Sequence, residues 1–199
     1  MINIKEISNA APYLRFTELY NDALKEHQKI IEAICISSYD SKNDEVESRF
    51  VNLKYIFNED WIFFTNYDSP KAIQFKEHNQ ITALFFWNST NVQIRIKALI
   101  DKTSEEFSNI HYLARSKEKN ALAHSSVQSS PIDSYDDVVK NYEIAINDKN
   151  LTTSRPDNWG GFSFKPYYFE FWEGNKYRLN KREVHQKINE DWIKGFIQP

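Results

Sequence analysis

Glycine and cysteine are scarce in this sequence, and each scarcity excludes a class of functional site. The 199 residues include four glycines and one cysteine. So few glycines leave neither a Gly-x-Gly-x-x-Gly motif nor a P-loop, so the common nucleotide-binding signatures are absent. The lone Cys35 excludes an intramolecular disulfide and a cysteine-based zinc site. Its apolar neighbours favour an inert core thiol over a nucleophile.

Motifs for metal binding, hydrolysis, nucleic-acid binding and membrane insertion are also missing. The five histidines show no metal-ligand spacing, so we expect no metal site, and no nucleophile elbow indicates a Ser-His-Asp hydrolase. The net charge of -3 argues against a nucleic-acid partner, because phosphate contacts need a basic face. No apolar run reaches transmembrane length and no signal peptide is evident, so we expect a cytoplasmic protein without a membrane partner.

Aromatic residues, in contrast, are abundant. They make up 15% of the chain, within an otherwise ordinary globular composition of 41% hydrophobic and 27% charged residues. Large aromatic anchors in a polar surface are typical of a fold of short strands or of a self-associating surface. The length fits one domain, which we predict over residues 1–199.

Hydrophobic periodicity divides the chain into an N-terminal helix, a strand-rich centre and a strand-rich tail. The spacing of Tyr13, Phe16, Tyr20 and Leu24 predicts one amphipathic helix over about 12–32. Strands are predicted at 33–39, 48–57, 61–65, 81–87, 92–100 and within 161–193, with a turn at 58–60 joining the second and third as a hairpin. Shorter helices are predicted at 69–78, 104–115 and 134–147, and a polar loop at 148–158. The pattern predicts an α+β fold in which peripheral helices surround a β-barrel.

Basic residues stand at the ends of these predicted elements. Arg49 and Lys54 flank one strand, and Lys71 follows Ser69-Pro70 at the start of a helix. A helix N-terminus offers free N–H groups and the positive end of a dipole, so an added Lys makes a good phosphate site. Taken alone, these residues leave open the alternative that Lys71 is a solvated helix charge and Ser69 only a cap.

The same residues belong to a series of short motifs in a fixed order. The early ones are Ser48-Arg49-Phe50-Val51-Asn52-Leu53-Lys54, Phe63-Phe64-Thr65-Asn66 and Ser69-Pro70-Lys71-Ala72; Gln128-Ser129-Ser130 follows, then Trp159-Gly160-Gly161-Phe162, Glu170-Phe171-Trp172, Arg178-Leu179 and Arg182. From about residue 12 to Pro199, this series resembles the pyridoxamine 5'-phosphate oxidase family. The resemblance implies a split β-barrel of the flavin-reductase or FMN-binding type, with peripheral helices and FMN bound between the subunits of a homodimer.

The resemblance also implies which residues hold the flavin. Arg49, Lys54, Thr65, Lys71 and Gln93 are expected to contact it from one subunit, and Gln128, Ser129, Trp172 and Arg182 from the other. Phe50, Val51 and Phe64 complete the expected cofactor site. A phosphate needs charge-assisted donors such as Arg49 and Lys71, and Gln and Thr suit the polar edge of a flavin ring.

For the substrate, the family pattern is only partly kept. The expected phosphate site consists of Lys54, His111, Arg115 and Lys119, where His111 and Lys119 stand in place of a Tyr and a Ser. Arg178 and Asn180 occupy the positions of a catalytic Arg-x-His pair, and Pro70 replaces an Arg. Because Lys119 adds a positive charge, we expect stronger contacts at the anionic end of the substrate. Because Asn180 cannot carry charge as an imidazole can, we expect weaker contacts at the amine end. We therefore predict slow or absent oxidation of pyridoxamine and pyridoxine phosphates.

The function implied is that of an FMN-dependent oxidase. It would oxidise an amine or alcohol on a phosphorylated pyridine-type substrate, a small anionic aromatic, with oxygen as acceptor. Two alternatives stay open at this point: a sibling FMN oxidase acting on another anionic aromatic of the phenazine type, and a non-catalytic protein that binds flavin or pyridoxal phosphate.

Overall fold

A computed structural model describes residues 1–148 and 153–199. Within these ranges the strands are β1 (Asn3–Lys5), β2 (Ala33–Asp40), β3 (Glu45–Asn52), β4 (Tyr55–Phe57), β5 (Asp60–Asn66), β6 (Gln80–Trp87), β7 (Val92–Lys102), β8 (Trp159–Glu173), β9 (Lys181–Ile188) and β10 (Asp191–Phe196). The helices are α1 (Ala11–Lys25), α2 (Pro70–Glu77), α3 (Glu105–Leu113), α4 (Lys117–Ser125) and α5 (Tyr135–Asn147). A 3-10 turn at Lys176–Arg178 separates β8 from β9. None of the described helices is long and apolar enough to cross a membrane.

These strands form one curled sheet, with the order β1-β4-β5-β8-β7-β6-β2-β3 and with β9 and β10 attached beside β8. The long β8 divides the barrel, because its first half pairs with β5 and its second half with β9, while β7 follows its other edge. The β7–β8 register shifts between Lys97 and Ala98, where Pro166 stands opposite. A proline has no N–H for the ladder, so it suits such an irregularity. The α+β split barrel predicted from the sequence is confirmed.

The core is built from aromatic residues of α1 packed on the inner face of the sheet. Tyr13, Phe16 and Trp61 are completely buried. The rings of Phe16 and Trp61 meet edge-on with centroids 4.6 Å apart. The N-terminal helix is shorter than predicted, however, because it ends at Lys25 and not at residue 32. His27 and Ile30 adopt positive φ, which a helix cannot continue through.

The strand predicted at 48–57 is two strands. β3 pairs with β2, whereas β4 pairs with β5, so the hairpin around residues 58–60 contains only Tyr55–Phe57. The change of partner occurs at Leu53, whose side chain is fully buried, and at Lys54, whose N–H donates to the Ile62 carbonyl. The other predicted helices and strands are confirmed within a few residues of their ends. Of the polar loop predicted at 148–158, residues 149–152 lie outside the described residues. β1 and α4 were not predicted, since one is very short and the other has few apolar positions.

Candidate functional site

An open cavity of about 940 Å³ lies between the β3–β5 region and helices α2, α3 and α4. This is the size of a typical cofactor or ligand site. Twelve of the predicted site residues line it: Arg49, Phe50, Val51, Lys54, Phe64, Thr65, Lys71, His111, Arg115, Lys119, Gln128 and Ser129. The fold thus brings together residues that are up to 80 positions apart in sequence, counted from Arg49 to Ser129.

At one end of the cavity lies a buried lysine. Lys71, at the start of α2, is only 6% exposed, and its Nζ donates to the hydroxyls of Thr65 and Ser69, both at 3.2 Å. Burial, with a further contribution from the nearby charge of Arg49, lowers the pKa of Lys71 to about 8. Ser69 occupies the N-cap position, yet its hydroxyl donates to the Asn66 carbonyl instead of capping the helix. A cation held only by hydroxyls is suited to an anionic ligand.

Arg49 lies beside Lys71 within a polar network. Its guanidinium donates to Ser38 Oγ at 2.5 Å, to Glu47 Oε2 at 2.6 Å and to Gln74 Oε1 at 3.2 Å. Sequence reasoning missed Glu47, although the period-two pattern of β3 gives the signal, because Glu47, Arg49 and Val51 alternate with exposed residues. Glu47 therefore accepts a hydrogen bond from an Arg49 N–H group that could otherwise donate to a bound anion.

The other end of the cavity carries a second group of cations. Arg115 stacks over the Trp159 ring at 4.1 Å and donates from Nη2 to the Lys119 carbonyl at 2.7 Å. Its buried Nη1 has no partner among the described residues. Burial lowers the pKa of Arg115. Trp159 was not predicted as a site residue, although it belongs to a motif quoted above.

His111 lies between these cations. Its Nδ1 is 2.9 Å from the hydroxyl of Tyr55, and its ring stacks on Phe64 with centroids 3.7 Å apart. Burial, followed by the charges of Arg115, Lys54 and Lys119, lowers the pKa of His111 to about 4. The imidazole is therefore neutral near pH 7. Tyr55 was also missed by sequence reasoning.

The charges of the cavity are strongly unbalanced. Among the described residues, five basic side chains line it, from Arg49, Lys54, Lys71, Arg115 and Lys119, against the single carboxylate of Glu47. In the part of the chain that the structure describes, Lys54, Lys71, Arg115 and Lys119 form no ion pair. This contrasts with a chain whose net charge is -3. Asn66 adds a buried Nδ2 that lacks a partner among the described residues. The donor set fits a ligand with phosphate groups, and so fits FMN.

The expected division of cofactor residues between two subunits needs correction. Gln128 was expected opposite Thr65, but within one chain its Oε1 accepts hydrogen bonds from Thr65 Oγ1 at 3.0 Å and from the Asn66 N–H at 3.3 Å. Ser129 lines the same cavity. Gln93, which was expected on the same subunit as Thr65, lies outside this cavity. The reason is topological, since the segment after α4 returns to the end of β5.

Gln93, Trp172 and Arg182 form what we call the strip. They are directly opposite one another on β7, β8 and β9, and so share one face of the sheet. Arg182 donates to Glu170 Oε1 from Nε at 2.9 Å and from Nη2 at 2.7 Å, and Arg95 pairs with the other oxygen of that carboxylate. Burial would raise the pKa of Glu170, but the hydrogen bonds from Arg182 and Arg95 bring it below its ordinary value.

The two residues predicted as catalytic lie at the end of the strip, in the turn between β8 and β9. Arg178 and its neighbour Tyr177 both have positive φ, near 60°. The Asn180 Oδ1 accepts a hydrogen bond from the Asn175 N–H at 3.1 Å, which closes this turn. Neither Arg178 nor Asn180 lines the cavity of its own chain.

Similar sequences extend over almost the whole chain. A pyridoxine/pyridoxamine 5'-phosphate oxidase of Hydrogenovibrio crunogenus is 34% identical over 90% of this chain and 83% of its own length. The corresponding oxidase of Colwellia psychrerythraea is also 34% identical, over 96% of this chain and 88% of its own length. The profile of the pyridoxine 5'-phosphate oxidase C-terminal dimerisation region matches residues 159–199, which contain β8, β9 and β10.

Solved structures share the fold. PhzG from Burkholderia lata, in complex with tetrahydrophenazine-1-carboxylic acid, superposes with a TM-score of 0.87 at 22% identity, covering 94% of this chain and 92% of PhzG. A pyridoxamine 5'-phosphate oxidase-related, FMN-binding protein from Nostoc punctiforme gives a TM-score of 0.79 at 12% identity, covering 96% of this chain and 99% of that protein.

Proposed function

This chain belongs to the pyridoxine/pyridoxamine 5'-phosphate oxidase family, and from that premise we propose that it is an FMN-dependent oxidase. Its substrate would carry an amine or alcohol on a phosphorylated pyridine-type ring, and oxygen would be the acceptor. One observation carries the proposal. The cavity gathers four cations without an ion-pair partner among the described residues, namely Lys54, Lys71, Arg115 and Lys119, and Arg49 lies beside Lys71.

The Arg49–Lys71 end is the proposed seat of the FMN phosphate. Lys71 is buried among hydroxyls at a helix start, and the Arg49 guanidinium beside it can form a charge-assisted hydrogen bond to a phosphate that displaces one of its present acceptors. Thr65 and Gln128 lie next to it and would hold the polar edge of the ring system. When bound, FMN supplies the two-electron redox chemistry, while the side chains bind and orient both ligands.

Lys54, Arg115 and Lys119 form the proposed seat of the substrate's anionic group. Arg115 is fixed by the Trp159 ring and by the Lys119 carbonyl, so its guanidinium is preorganised. Since no described carboxylate pairs with these cations, a phosphate would gain their full attraction on binding. The seat lies on the same cavity as the proposed FMN site, as transfer between the two ligands requires.

A homodimer would complete this site. The exposed side chain of Phe86 extends the strip, and the exposed Phe50 stands at the cavity rim. In a two-fold dimer, the same surface of each subunit takes part in the contact, so the strip of one can face the cavity of the other. Trp172 and Arg182 would then approach FMN from the partner side, together with Gln93. Arg178 would reach the reacting end of the substrate in the same way.

Lys119 favours a second candidate function. It adds a third cation at the substrate end, where the family pattern has a neutral Ser, and a lysine can pair with a carboxylate as well as with a phosphate. The runner-up is therefore an FMN oxidase for another anionic aromatic, such as one carrying a carboxylate.

The absorption spectrum of the purified protein tests the cofactor, and anaerobic addition of pyridoxamine 5'-phosphate tests the reaction. We expect the bands of oxidised FMN, slow bleaching by pyridoxamine 5'-phosphate because Asn180 replaces an imidazole, and recovery of the bands on admitting oxygen. Bleaching only by a carboxylated aromatic would select the runner-up. FMN binding without bleaching by any amine or alcohol tested would mean a non-catalytic flavoprotein, and a folded protein that takes up no FMN would contradict the proposal.

A further inference from the structure

Tyr55 lies just outside the proposed substrate seat and holds one of its residues. It follows Lys54 directly and begins β4. Its ring packs edge-on against Phe107 and Phe64, with centroids 5.4 and 6.2 Å away. Its hydroxyl is 2.9 Å from His111 Nδ1. Packing thus fixes the hydroxyl at that nitrogen.

The imidazole of His111 is fixed from two directions. The Tyr55 hydroxyl occupies Nδ1, and the ring lies nearly parallel to Phe64, with an interplanar angle of 12°. The Nε2 atom has no hydrogen-bond partner among the described residues, and His111 is part of the cavity wall. One nitrogen is therefore structural, and the other is available to a ligand.

The surroundings determine what His111 offers that ligand. Burial and the nearby charges of Arg115, Lys54 and Lys119 lower the pKa of His111, so its ring is neutral near pH 7. A neutral imidazole carries one proton, and the hydrogen bond at one nitrogen sets which nitrogen has it. If Tyr55 donates to Nδ1, the proton is on Nε2, and His111 can donate to an anion attracted by the three cations. The opposite tautomer would turn a lone pair toward that anion.

We propose that Tyr55 is a positioning residue that holds His111 in the Nε2-protonated tautomer, so that His111 donates an uncharged hydrogen bond to the anionic group of the substrate. This inference rests on the proposed function, since it assigns a ligand to the same cavity. The cations supply attraction, whereas the neutral donor selects an oxygen at one position. A phosphate monoester, with several acceptor oxygens, meets both requirements.

The tautomer can be measured directly by ¹⁵N NMR of protein labelled at histidine, with the His111→Gln variant used to assign the His111 signals. We expect a protonated Nε2 and an unprotonated Nδ1 at pH 7, and a mixture of both tautomers in Tyr55→Phe. A protonated Nδ1 in the wild type, or identical tautomers in the wild type and in Tyr55→Phe, would overturn the inference. Neither readout depends on turnover.

Calorimetry with phenyl phosphate, which has no oxidisable amine or alcohol, measures the effect on binding. One lost hydrogen bond should weaken binding by about threefold to tenfold in Tyr55→Phe and by at least as much in His111→Phe. His111→Gln keeps an N–H near the Nε2 position and should stay within about twofold of the wild type. Tyr39→Phe is the matched control, because its hydroxyl bonds Asp44 away from the cavity.

The outcomes separate this inference from the proposed function. Unchanged phenyl phosphate affinity in Tyr55→Phe, in a protein that binds FMN, would refute the role of Tyr55 and leave the oxidase proposal standing. A protein that takes up no FMN, but whose His111 tautomer and phenyl phosphate affinity respond to Tyr55→Phe, would refute the oxidase proposal alone.

Discussion

The cavity and the strip both carry arginines and lysines, yet their charges are arranged in opposite ways. Beside the strip, Arg95 and Arg182 share the buried carboxylate of Glu170, and Arg15 and Lys181 share Glu173. In the cavity, the described residues offer Lys54, Lys71, Arg115 and Lys119 no carboxylate. Only Arg49 has one, from Glu47.

The difference indicates two roles for these cations: those beside the strip stabilise the fold, whereas those in the cavity are available to bind an anionic ligand. When a cation is paired with a buried carboxylate, removing it destabilises the folded chain, because the carboxylate is left without compensation. An unpaired, buried cation instead lowers stability until an anion arrives, and then favours binding. The same residue types therefore have opposite roles, which can be measured as opposite effects on stability and on ligand affinity.

The largest effect is expected for removal of the two cations at the proposed FMN phosphate. Arg49→Ala combined with Lys71→Ala should weaken FMN binding on the order of a hundredfold or more, since each charge-assisted contact contributes about 1.5–3 kcal/mol. Fluorescence titration of the cofactor-free protein measures this. Lys76→Ala, on the exposed side of the same helix, is the matched control and should bind FMN as the wild type does.

Stability should respond oppositely in the two regions. Lys71→Met should stabilise the cofactor-free protein by roughly 1–3 kcal/mol, because it removes a buried charge whose pKa is depressed. Arg182→Met should destabilise it by about 2 kcal/mol, because it leaves Glu170 with only Arg95. Urea unfolding at equal protomer concentration provides both values. Destabilisation of the same size by both variants would remove the distinction between the regions.

Lys71 should also make FMN binding depend on pH. Its pKa is about 8 in the folded, cofactor-free protein, below the ordinary 10.5, so the folded state binds fewer protons than the unfolded state between those values. Stability of the cofactor-free protein therefore gains from this group as pH rises through that window. FMN needs the protonated amine, so its affinity should be close to its maximum at pH 7, about half of that at pH 8, and should then fall by up to about tenfold per unit. In Lys71→Gln, FMN affinity should no longer fall with pH above 8. An unchanged fall in this variant would mean that another group titrates there.

The smallest effect concerns Glu47, the one carboxylate in the cavity. Because Glu47 pairs with Arg49 at 2.6 Å, it competes with an incoming phosphate. The pair is partly exposed, so its contribution is at most about 1 kcal/mol, and Glu47→Gln should tighten FMN binding by up to about fivefold. Glu45→Gln, at the exposed start of the same strand, is the control. Weaker FMN binding in Glu47→Gln would mean that Glu47 orients Arg49 rather than competing for it.

Local patterns in the sequence predicted the secondary structure, and the family resemblance predicted most of the cavity. Period-two strands and the Ser69-Pro70 helix start have strong local signals, and twelve of the residues implied by the resemblance share one cavity. Sequence reasoning failed where long-range packing decides. The break at Leu53 reflects a change of pairing partner, and the helix predicted to residue 32 ends at Lys25 because His27 and Ile30 adopt positive φ.

Contacts between side chains that are distant in sequence could also not be predicted from the sequence. The Tyr55–His111 contact joins residues 56 positions apart, and Gln128 reaches back 63 positions to Thr65. The closure of the β8–β9 turn by Asn180 is local, but nothing in its spacing distinguishes it from a catalytic position. The sequence motifs predicted which residues belong to the site, whereas the contacts and distances between those residues could be read only from the structure.

The most direct test of the central claim compares FMN and riboflavin, which differ by the phosphate. Both are titrated into the cofactor-free protein at pH 7, and quenching of flavin fluorescence gives the two dissociation constants. If Arg49 and Lys71 bind the phosphate, FMN should bind at least about a hundredfold more tightly than riboflavin. The preference should shrink in Arg49→Ala/Lys71→Ala and persist in Lys76→Ala. Equal affinity for both flavins, or binding of neither by the folded protein, would contradict the account.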